Sequence, residues 1–465
     1  MFVSLIDDAL LKKSARVHFI GVGGSGMFPI VQILKSEGHI ISGSDNNETD
    51  TTAFEREIGV TVCLGQSAEN IKGADLIVYS AAIMPDNPEL IAAKESPIPA
   101  AERSTVLGLL SARYENAVCV SGTHGKTTAS SMITQILLDG DFDPTVVIGG
   151  KLPALHGSGR AGKSGIMVVE ACEFVDTFLK LSPAVAVILN IDEDHLDYFK
   201  NLRNIQKSFR KFAGLASKAV ILNGDDKNTL ETIEGLDKEK ITFGFGAHND
   251  YYPQNIEILS RQGASRTSFE VWRRGEFLFE AKLRIPGRHN ILNALAAAAA
   301  AIYVGASPEQ VRQGLYNFTG AKRRFEVLGK VNGFTVADDY AHHPAELEVT
   351  LKAALTMGYN KIWAVFQPFT FSRTAILLDD FARVLRLADK VLLTQIMGSR
   401  EKNTYGIYSS DLAEKIPGAL VFDSFEQIRD YALENAGEGD LLITMGCGDI
   451  YKAAKLILAE GQHFY

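Results

Sequence analysis

Ser121-Gly122-Thr123-His124-Gly125-Lys126-Thr127-Thr128 brings together a flexible turn, a cation and two hydroxyls within eight positions. The run follows an apolar segment, Ala117–Ser121, and leads into a helical pattern. That order suits a loop that cradles phosphates. Lys126 would reach the β- and γ-phosphates of a nucleoside triphosphate, and the Thr127 hydroxyl would bind Mg²⁺. The loop is shorter than the common phosphate-binding pattern, with Val120 where that pattern places a glycine.

A second candidate stands nearer the start. Gly21-Val22-Gly23-Gly24-Ser25-Gly26 fits G-x-G-x-x-G between a strand-like Val17–Ile20 and a helical run from Met27. Glycines allow the tight turn and let backbone N–H groups approach a pyrophosphate at a helix N-terminus. Asp45 lies 19 residues beyond Gly26, where a nicotinamide enzyme holds a ribose hydroxyl. Alone, this loop fits a dinucleotide, another nucleotide diphosphate or a structural turn. Two phosphate-binding loops in successive units predict two nucleotides, one in each.

Acids and imidazoles follow the same logic. Glu170 ends the apolar run Ile166–Glu170, with Glu173 and Asp176 close behind. Asn190, Asp192, Asp194 and His195 lie at and beyond the end of Val185–Asn190. Ligands of open parallel sheets gather beyond the carboxyl ends of strands, so these groups should meet the phosphates held by Lys126. Carboxylates and an imidazole at two adjoining strand ends suit one or two Mg²⁺ ions.

The elements that must position these groups are legible as alternating strands and helices, the pattern of parallel α/β layers. Strands are expected at Val17–Ile20, His39–Ser42, Leu76–Ser80, Ala117–Ser121, Ile166–Glu170, Val185–Asn190 and Ala219–Asn223. Between about residues 255 and 285 the pattern changes to period two, with a turn at Arg274-Gly275, predicting an antiparallel hairpin. The alanines of Ala294–Ala301 predict a close-packed helix. Asn332-Gly333 predicts a type I′ hairpin. Further αβ units follow, with strands at Ile362–Phe366, Val391–Thr394 and Leu441–Thr444. Breaks near Ala112 and Gly320–Lys322 give three units: 1–112, 113–321 and 322–465.

Composition sets the outer bounds. A chain of 465 residues exceeds what one core serves, which agrees with about three domains. A net charge of −9 leaves no polycationic surface, which argues against general nucleic-acid binding. Cys63, Cys119, Cys172 and Cys447 stand far apart, without the spacing of a zinc site or a disulfide framework. The opening MFVSLIDDALLKK lacks the order of a signal peptide, and no uncharged run reaches the ~18 residues of a membrane span. A cytoplasmic enzyme without membrane insertion is expected.

The longer motifs carry a resemblance. Gly-Thr-His-Gly-Lys-Thr-Thr, Val-Val-Glu-Ala, Asn-Ile-Asp-Glu-Asp-His-Leu-Asp and Gly-Arg-His-Asn-Ile-Leu-Asn-Ala are similar to motifs of the Mur ligases of bacterial cell-wall synthesis. Gly-Val-Gly-Gly-Ser-Gly-Met and Asp-Asp-Tyr-Ala-His-His-Pro-Ala-Glu resemble those of the member that adds the first amino acid. The likeness runs in order from about Val17 to the end.

The resemblance implies a three-domain α/β architecture. A Rossmann-like N-terminal domain would bind the UDP-sugar. A P-loop ATPase-like central domain with an antiparallel hairpin region would bind ATP. A Rossmann-like C-terminal domain would bind the amino acid. It implies UDP-sugar contacts from Gly21, Gly23, Gly24, Ser25, Gly26, Met27, Asp45 and Ser80. ATP contacts would come from Gly122, Thr123, His124, Gly125, Lys126, Thr127, Thr128, His289, Asn290 and Asn293, the last three toward the adenine. Thr127, Glu170 and His195 would hold Mg²⁺, and Arg324 would steady the transferring phosphate or the acyl phosphate. Tyr340, His342 and Arg373 would receive the amino acid, with Asp339 and His343 beside them. Catalytic weight would fall on Lys126, Glu170, His195, Arg324, His342 and Arg373.

One departure stands out. After Gln367-Pro368 the family often has His-Arg-Tyr before a further Arg, whereas here the text is Phe369-Thr370-Phe371-Ser372-Arg373. Arg373 is therefore the candidate for the amino acid's carboxylate. No carbamylated lysine is assigned.

The activity so implied is ATP-dependent joining of L-alanine to the lactyl carboxylate of UDP-N-acetylmuramate through an acyl phosphate, by a monomer or weak homodimer. A muropeptide-recycling ligase that takes a preformed peptide is the near alternative. A nicotinamide oxidoreductase or a non-catalytic nucleotide-binding regulator is the alternative from another class.

Overall fold

Three sheets form around central aliphatic strands such as Val185–Ile188, Ile362–Phe366 and Leu441–Met445, buried along their length. The computed structural model describes residues 6, 7, 9, 10, 14–155, 157–261, 264–399 and 401–461. The opening segment read for a leader falls largely outside them. By backbone proximity the chain divides into two compact units, Met1–Pro253 with Val271–Phe279 and Leu292–Asn317, and the remainder.

In the first unit, β1 (Arg16–Ile20), β2 (Ile40–Asp45), β3 (Thr61–Leu64), β4 (Leu76–Tyr79) and β5 (Ala100–Glu102) pair in parallel in the order β3-β2-β1-β4-β5. The order reverses between β1 and β4. The crevice at that point is flanked by the first glycine loop, after β1, and by Ser80, after β4.

The second sheet contains β6 (Asn116–Ser121), β7 (Thr145–Leu152), β8 (Gly157–Arg160), β9 (Ile166–Glu170), β10 (Val185–Ile188), β11 (Ala219–Asn223) and β12 (Glu239–Phe243). It continues through β13 (Tyr251–Arg261), β14 (Ala264–Arg273) and β15 (Glu276–Leu283) in the order β15-β14-β13-β12-β11-β10-β6-β9-β7-β8. β6 lies between β10 and β9, parallel to both. The ends of these three strands therefore deliver the lysine loop, Glu170 and Asn190 to one place. Arg274 and Gly275, both at positive φ, link β14 to β15 in the expected two-residue turn.

Several strand ends shift from expectation by a residue, and two larger shifts bear on a loop. β2 runs to Asp45 rather than stopping at Ser42, so that carboxylate is fixed by the sheet. β10 stops at Ile188, and Leu189 and Asn190 leave it toward the lysine loop.

Packing within this unit joins the two sheets. Helix Phe28–Ser36 lies against β8, where a Cβ at Gly159 would stand 2.4 Å from Cβ of Pro29. The alanines of helix His289–Tyr303 are fully buried, as their composition predicted.

The third sheet, in the second unit, orders β16 (Glu326–Val331), β17 (Phe334–Asp339), β21 (Leu441–Met445), β18 (Ile362–Phe366), β19 (Lys390–Thr394) and β20 (Leu420–Phe422) from edge to edge. Asn332 and Gly333, at φ of 48° and 86°, make the expected β16–β17 hairpin. Separate clusters cover its two faces, one around Phe366 and Phe381, the other around Trp363 and Ile457. Among the described residues no helix is long and apolar enough to cross a membrane.

Candidate active site

The lysine loop is shaped by two glycines that no other residue could replace without movement. Gly122 has φ of 146°, and a Cβ there would stand 2.9 Å from Cβ of Leu189. Gly125 has φ of 86°, and a Cβ there would stand 2.6 Å from Oδ1 of Asn293. The intervening residues are clasped by Asn190. Its Oδ1 accepts from the His124 N–H at 2.8 Å, and its Nδ2 donates to the His124 carbonyl at 3.0 Å. The Thr123 hydroxyl accepts from the Asp192 N–H at 2.8 Å. Thr128 follows in the helix Lys126–Asp139.

Lys126 opens that helix and turns its Nζ back over the loop. It donates to the carbonyls of Gly122 and Thr123 at 2.6 and 3.1 Å, and stands 2.9 Å from the Glu173 carboxylate. Burial disfavours the ammonium, but the Glu173 carboxylate outweighs it and holds the pKa above the ordinary lysine value. The Thr127 hydroxyl donates to Oε1 of Glu170 at 3.1 Å, and the Gly149 N–H donates to Oε2 at 2.8 Å.

Glu173, Asp194 and His195 bring ligand atoms within 4.8 Å of one another, each offering a carboxylate oxygen or a ring nitrogen. His195 adopts φ of 50° and packs its ring 4.7 Å from that of Phe174. Val175 and Asp176 also sit at positive φ, so three strained residues frame the acidic group. Hard oxygen donors with one imidazole fit a divalent cation such as Mg²⁺. Of the expected metal set, Thr127 and Glu170 are in contact, and His195 lies with Glu173 and Asp194.

The first loop is held from below. The Gly21 and Val22 N–H groups donate to the Ser44 carbonyl at 2.8 and 2.9 Å, and the Gly23 N–H donates to Oδ2 of Asp45 at 3.1 Å. Asp45 also accepts from the Asn47 N–H at 3.1 Å. Its first effect is to brace the glycine loop. The Met27 N–H bonds back to the Gly24 carbonyl, and the Ser80 hydroxyl accepts from the Ala82 N–H.

His289, Asn290 and Asn293 share the start of helix His289–Tyr303. Asn290 Nδ2 donates to the Pro286 carbonyl at 2.6 Å, and Asn293 is the residue that Gly125 accommodates.

The second unit gathers its own cluster. The Arg324 guanidinium lies 5.3 Å from the Tyr340 ring centre. Asp339 accepts from the Phe325 and Ala341 N–H groups at 2.8 and 2.7 Å, and burial pushes its carboxyl up to about 6, with Arg324 pulling the other way. His342 Nδ1 stands 3.2 Å from Glu346. His343 instead caps the helix Pro344–Leu355, accepting from the Ala345 N–H. Burial pushes the Cys447 thiol up to about 11, with the charge of Arg373 pulling the other way. Thr370, where the family often has Arg, adopts φ of 65°, an uncommon conformation for a β-branched residue.

Two arginines were not singled out from the sequence. Arg323 lies between the rings of Tyr340 and Tyr451, at 5.0 and 4.8 Å, and pairs with Asp338 at 2.8 Å. It fastens the start of the third domain to β17 and to the Gly446–Gly448 turn. The sequence Lys-Arg-Arg-Phe does not distinguish it from Arg324. Arg103 lies against the first glycine loop, its Cζ 3.3 Å from where a Cβ at Gly26 would stand.

Three family models match successive parts of the chain. The Mur ligase family catalytic domain matches residues 16–115, the Mur ligase middle domain 120–301 and the Mur ligase glutamate ligase domain 323–448. The chain belongs to the Mur ligase family. A UDP-N-acetylmuramate–L-alanine ligase of Caldanaerobacter subterraneus is 45% identical, covering 97% of this chain and 99% of its own. One from Agathobacter rectalis is 46% identical, covering 96% and 98%. The crystal structure of a UDP-N-acetylmuramate–alanine ligase from Thermotoga maritima superposes with a TM-score of 0.81 at 28% identity, covering 97% of this chain and all of the other. The three-domain α/β Mur ligase fold, with a mixed central sheet, is thereby established for this chain.

Proposed function

We propose that this protein is an ATP-dependent ligase that joins L-alanine to the lactyl carboxylate of UDP-N-acetylmuramate in peptidoglycan precursor synthesis. The observation that carries this reading is identity of 45–46% over nearly the whole chain to relatives bearing that activity's name. The geometry around Lys126 agrees with it. Family membership removes the ground for the oxidoreductase alternative, since the first glycine loop then serves a UDP-sugar.

A carboxylate is a poor electrophile until one oxygen becomes a leaving group. The lactyl carboxylate attacks the γ-phosphorus of ATP, the bond to the β-phosphate oxygen breaks, and an acyl phosphate and ADP result. The α-amine of L-alanine then attacks the acyl carbon, loses a proton, and the tetrahedral intermediate expels inorganic phosphate. Phosphoryl transfer of this kind depends mainly on positioning and charge. Lys126 would release its hold on the loop carbonyls and meet the transferring phosphate, steered by Glu173. Thr127, Glu170 and His195, with Glu173 and Asp194, would hold Mg²⁺, which when bound neutralises phosphate charge. His289, Asn290 and Asn293 would take the adenine. Arg324 would steady the acyl phosphate. Tyr340, His342 and Arg373 would receive L-alanine, and Arg373 has no ion-pair partner among the described residues.

The work would divide among residues 1–112 for the UDP-sugar, 113–321 for ATP and 322–465 for the amino acid. We place the enzyme in the cytoplasm and expect a monomer or weak homodimer. Phosphate release measured with UDP-N-acetylmuramate, ATP, Mg²⁺ and either L-alanine, glycine, L-serine or a preformed tripeptide tests the proposal. L-Alanine should give the highest kcat/KM; release driven only by the tripeptide would transfer the assignment to a recycling ligase.

A further inference from the structure

Helix Arg103–Ser111 begins with a cation in an unfavourable position. The positive end of a helix repels a guanidinium at its first residue, and no acid stands in that first turn. Arg103 is half-buried, and burial pulls its pKa below the ordinary arginine value. The charge of the adjacent Glu102 offsets this only in part. Glu102 is bound instead to Lys180 at 2.7 Å and to the Ser104 hydroxyl at 2.8 Å. No carboxylate among the described residues forms an ion pair with Arg103.

The helix cannot easily turn to expose it. Gly108 lets the helix lie on the Lys180 carbonyl, where a Cβ would stand only 2.2 Å away. The Ser111 hydroxyl accepts from the Ser182 N–H at 3.0 Å. Lys180 also holds Ser104 at 2.7 Å. The guanidinium is therefore held in one place, and that place is the first glycine loop. A Cβ at Gly26 would stand 3.3 Å from both Cζ and Nε of Arg103.

The loop has unmet donors at the same point. The N–H groups of Gly21, Val22, Gly23, Gly24 and Met27 are all bonded within the loop or to β2. Those of Ser25 and Gly26 have no partner among the described residues. The helix that follows has no side-chain cap and no acid in its first turn. A half-buried cation without an ion pair, brought against Gly26 beside two N–H groups without a partner, suits an anion with several oxygens.

We propose that Arg103 binds the diphosphate of the UDP-sugar, closing with the Ser25 and Gly26 amides a cradle that the glycine loop only half forms. A planar guanidinium offers two parallel donors to phosphate oxygens, which backbone amides alone do not. The assignment rests on the UDP-sugar reading of this domain and adds the residue that neutralises its charge.

Calorimetric titration with UDP and with UDP-N-acetylmuramate, without ATP, tests it. Arg103→Ala should weaken both ligands by at least about tenfold and flatten the salt dependence of UDP binding, while the KM for ATP stays unchanged. Arg103→Lys should recover part of the loss. Gly26→Ala, which presses on the guanidinium from the other side, should weaken UDP by itself. Wild-type UDP affinity in Arg103→Ala would overturn the proposal. So would a loss confined to UDP-N-acetylmuramate, which would move the guanidinium to the sugar's carboxylate. A wild-type protein that binds UDP but not UDP-N-acetylmuramate would instead refute the function proposed above.

Discussion

Replacing Lys126 by Met should do two separable things, and the separation tests the reading of the central site. The ammonium stands 2.9 Å from a Glu173 carboxylate whose side chain is only 3% exposed. Removing one partner of a buried pair leaves an uncompensated charge, which typically costs about 3–5 kcal/mol. Lys126 is itself 14% exposed, so the lower end, about 3 kcal/mol, is expected here. For a domain of this size that lowers the thermal transition by roughly 6–12 °C. Lys126→Met with Glu173→Gln should recover most of the stability, because the orphaned charge is gone. Activity should not return with it, since the phosphates still lack their cation. Phosphate release should stay at least about 100-fold below wild type in both variants. Scanning calorimetry and a phosphate-release assay on the wild type, both single variants and the double variant complete the cycle. If the double variant regains activity along with stability, Lys126 is a structural residue and the phosphate-loop reading fails. If Lys126→Met melts like wild type, the Lys126–Glu173 pair carries no weight.

Two further outcomes follow from particular residues. Gly125→Ala forces a Cβ to 2.6 Å from Asn293 at φ of 86°, so it should cost about 1–2 kcal/mol in backbone strain alone and raise the KM for ATP. UDP binding should be unaffected; equal loss of both nucleotides in calorimetric titration would contradict the separate roles of the loops. Glu55 is fully buried, neither carboxylate oxygen has a hydrogen bond, and burial first and then Asp45 push its carboxyl up to about 8. The folded chain then keeps a proton that the unfolded chain releases near pH 4.5, so stability falls as pH rises from about 4.5 to 8, by at most about 5 kcal/mol. Urea denaturation of Glu55→Gln at pH 5, 6.5 and 8 should show this slope removed; an unchanged slope would assign it to another group.

Much of the site was legible because it sits at strand ends. Glycine, lysine and acid spacings point to both loops, Glu170 and His195, and parallel strand order explains why the lysine loop, Glu170 and Asn190 meet. What stayed hidden depends on partners distant in the chain. Nothing near Asn190 in the sequence says that it clasps His124, 66 residues earlier. Glu173 was visible as an acid but not as the partner of Lys126. Arg103 reads as an ordinary helix-start charge until Gly26, far away in sequence, is found against it. Arg323 and Arg324 are neighbours of one type, and only the Tyr451 ring and Asp338, both met by Arg323, separate the fastener from the candidate ligand. Local periodicity reports which face of an element is buried; it carries no information about which side chain from another element arrives there.

The two glycine loops show why that distinction matters for binding. Each is held in shape without a ligand, the first by Ser44 and Asp45, the second by Asn190 and the Thr123–Asp192 bond. A loop already ordered loses little further entropy when a phosphate arrives, so more of the contact energy appears as affinity. The residues that hold the loops are therefore distinct from those that touch the ligand. Asp45 occupies the position of a ribose contact, yet its carboxylate already braces Gly23, and a substitution there would lower affinity even if it never met the sugar. Lys126 is the opposite case. It is held by Glu173 and by loop carbonyls that a bound phosphate would have to displace. For this residue the resting contacts compete with the ligand instead of preparing for it. Its partner acid thus sets how readily the lysine is released, and the first of the perturbations above probes that balance directly.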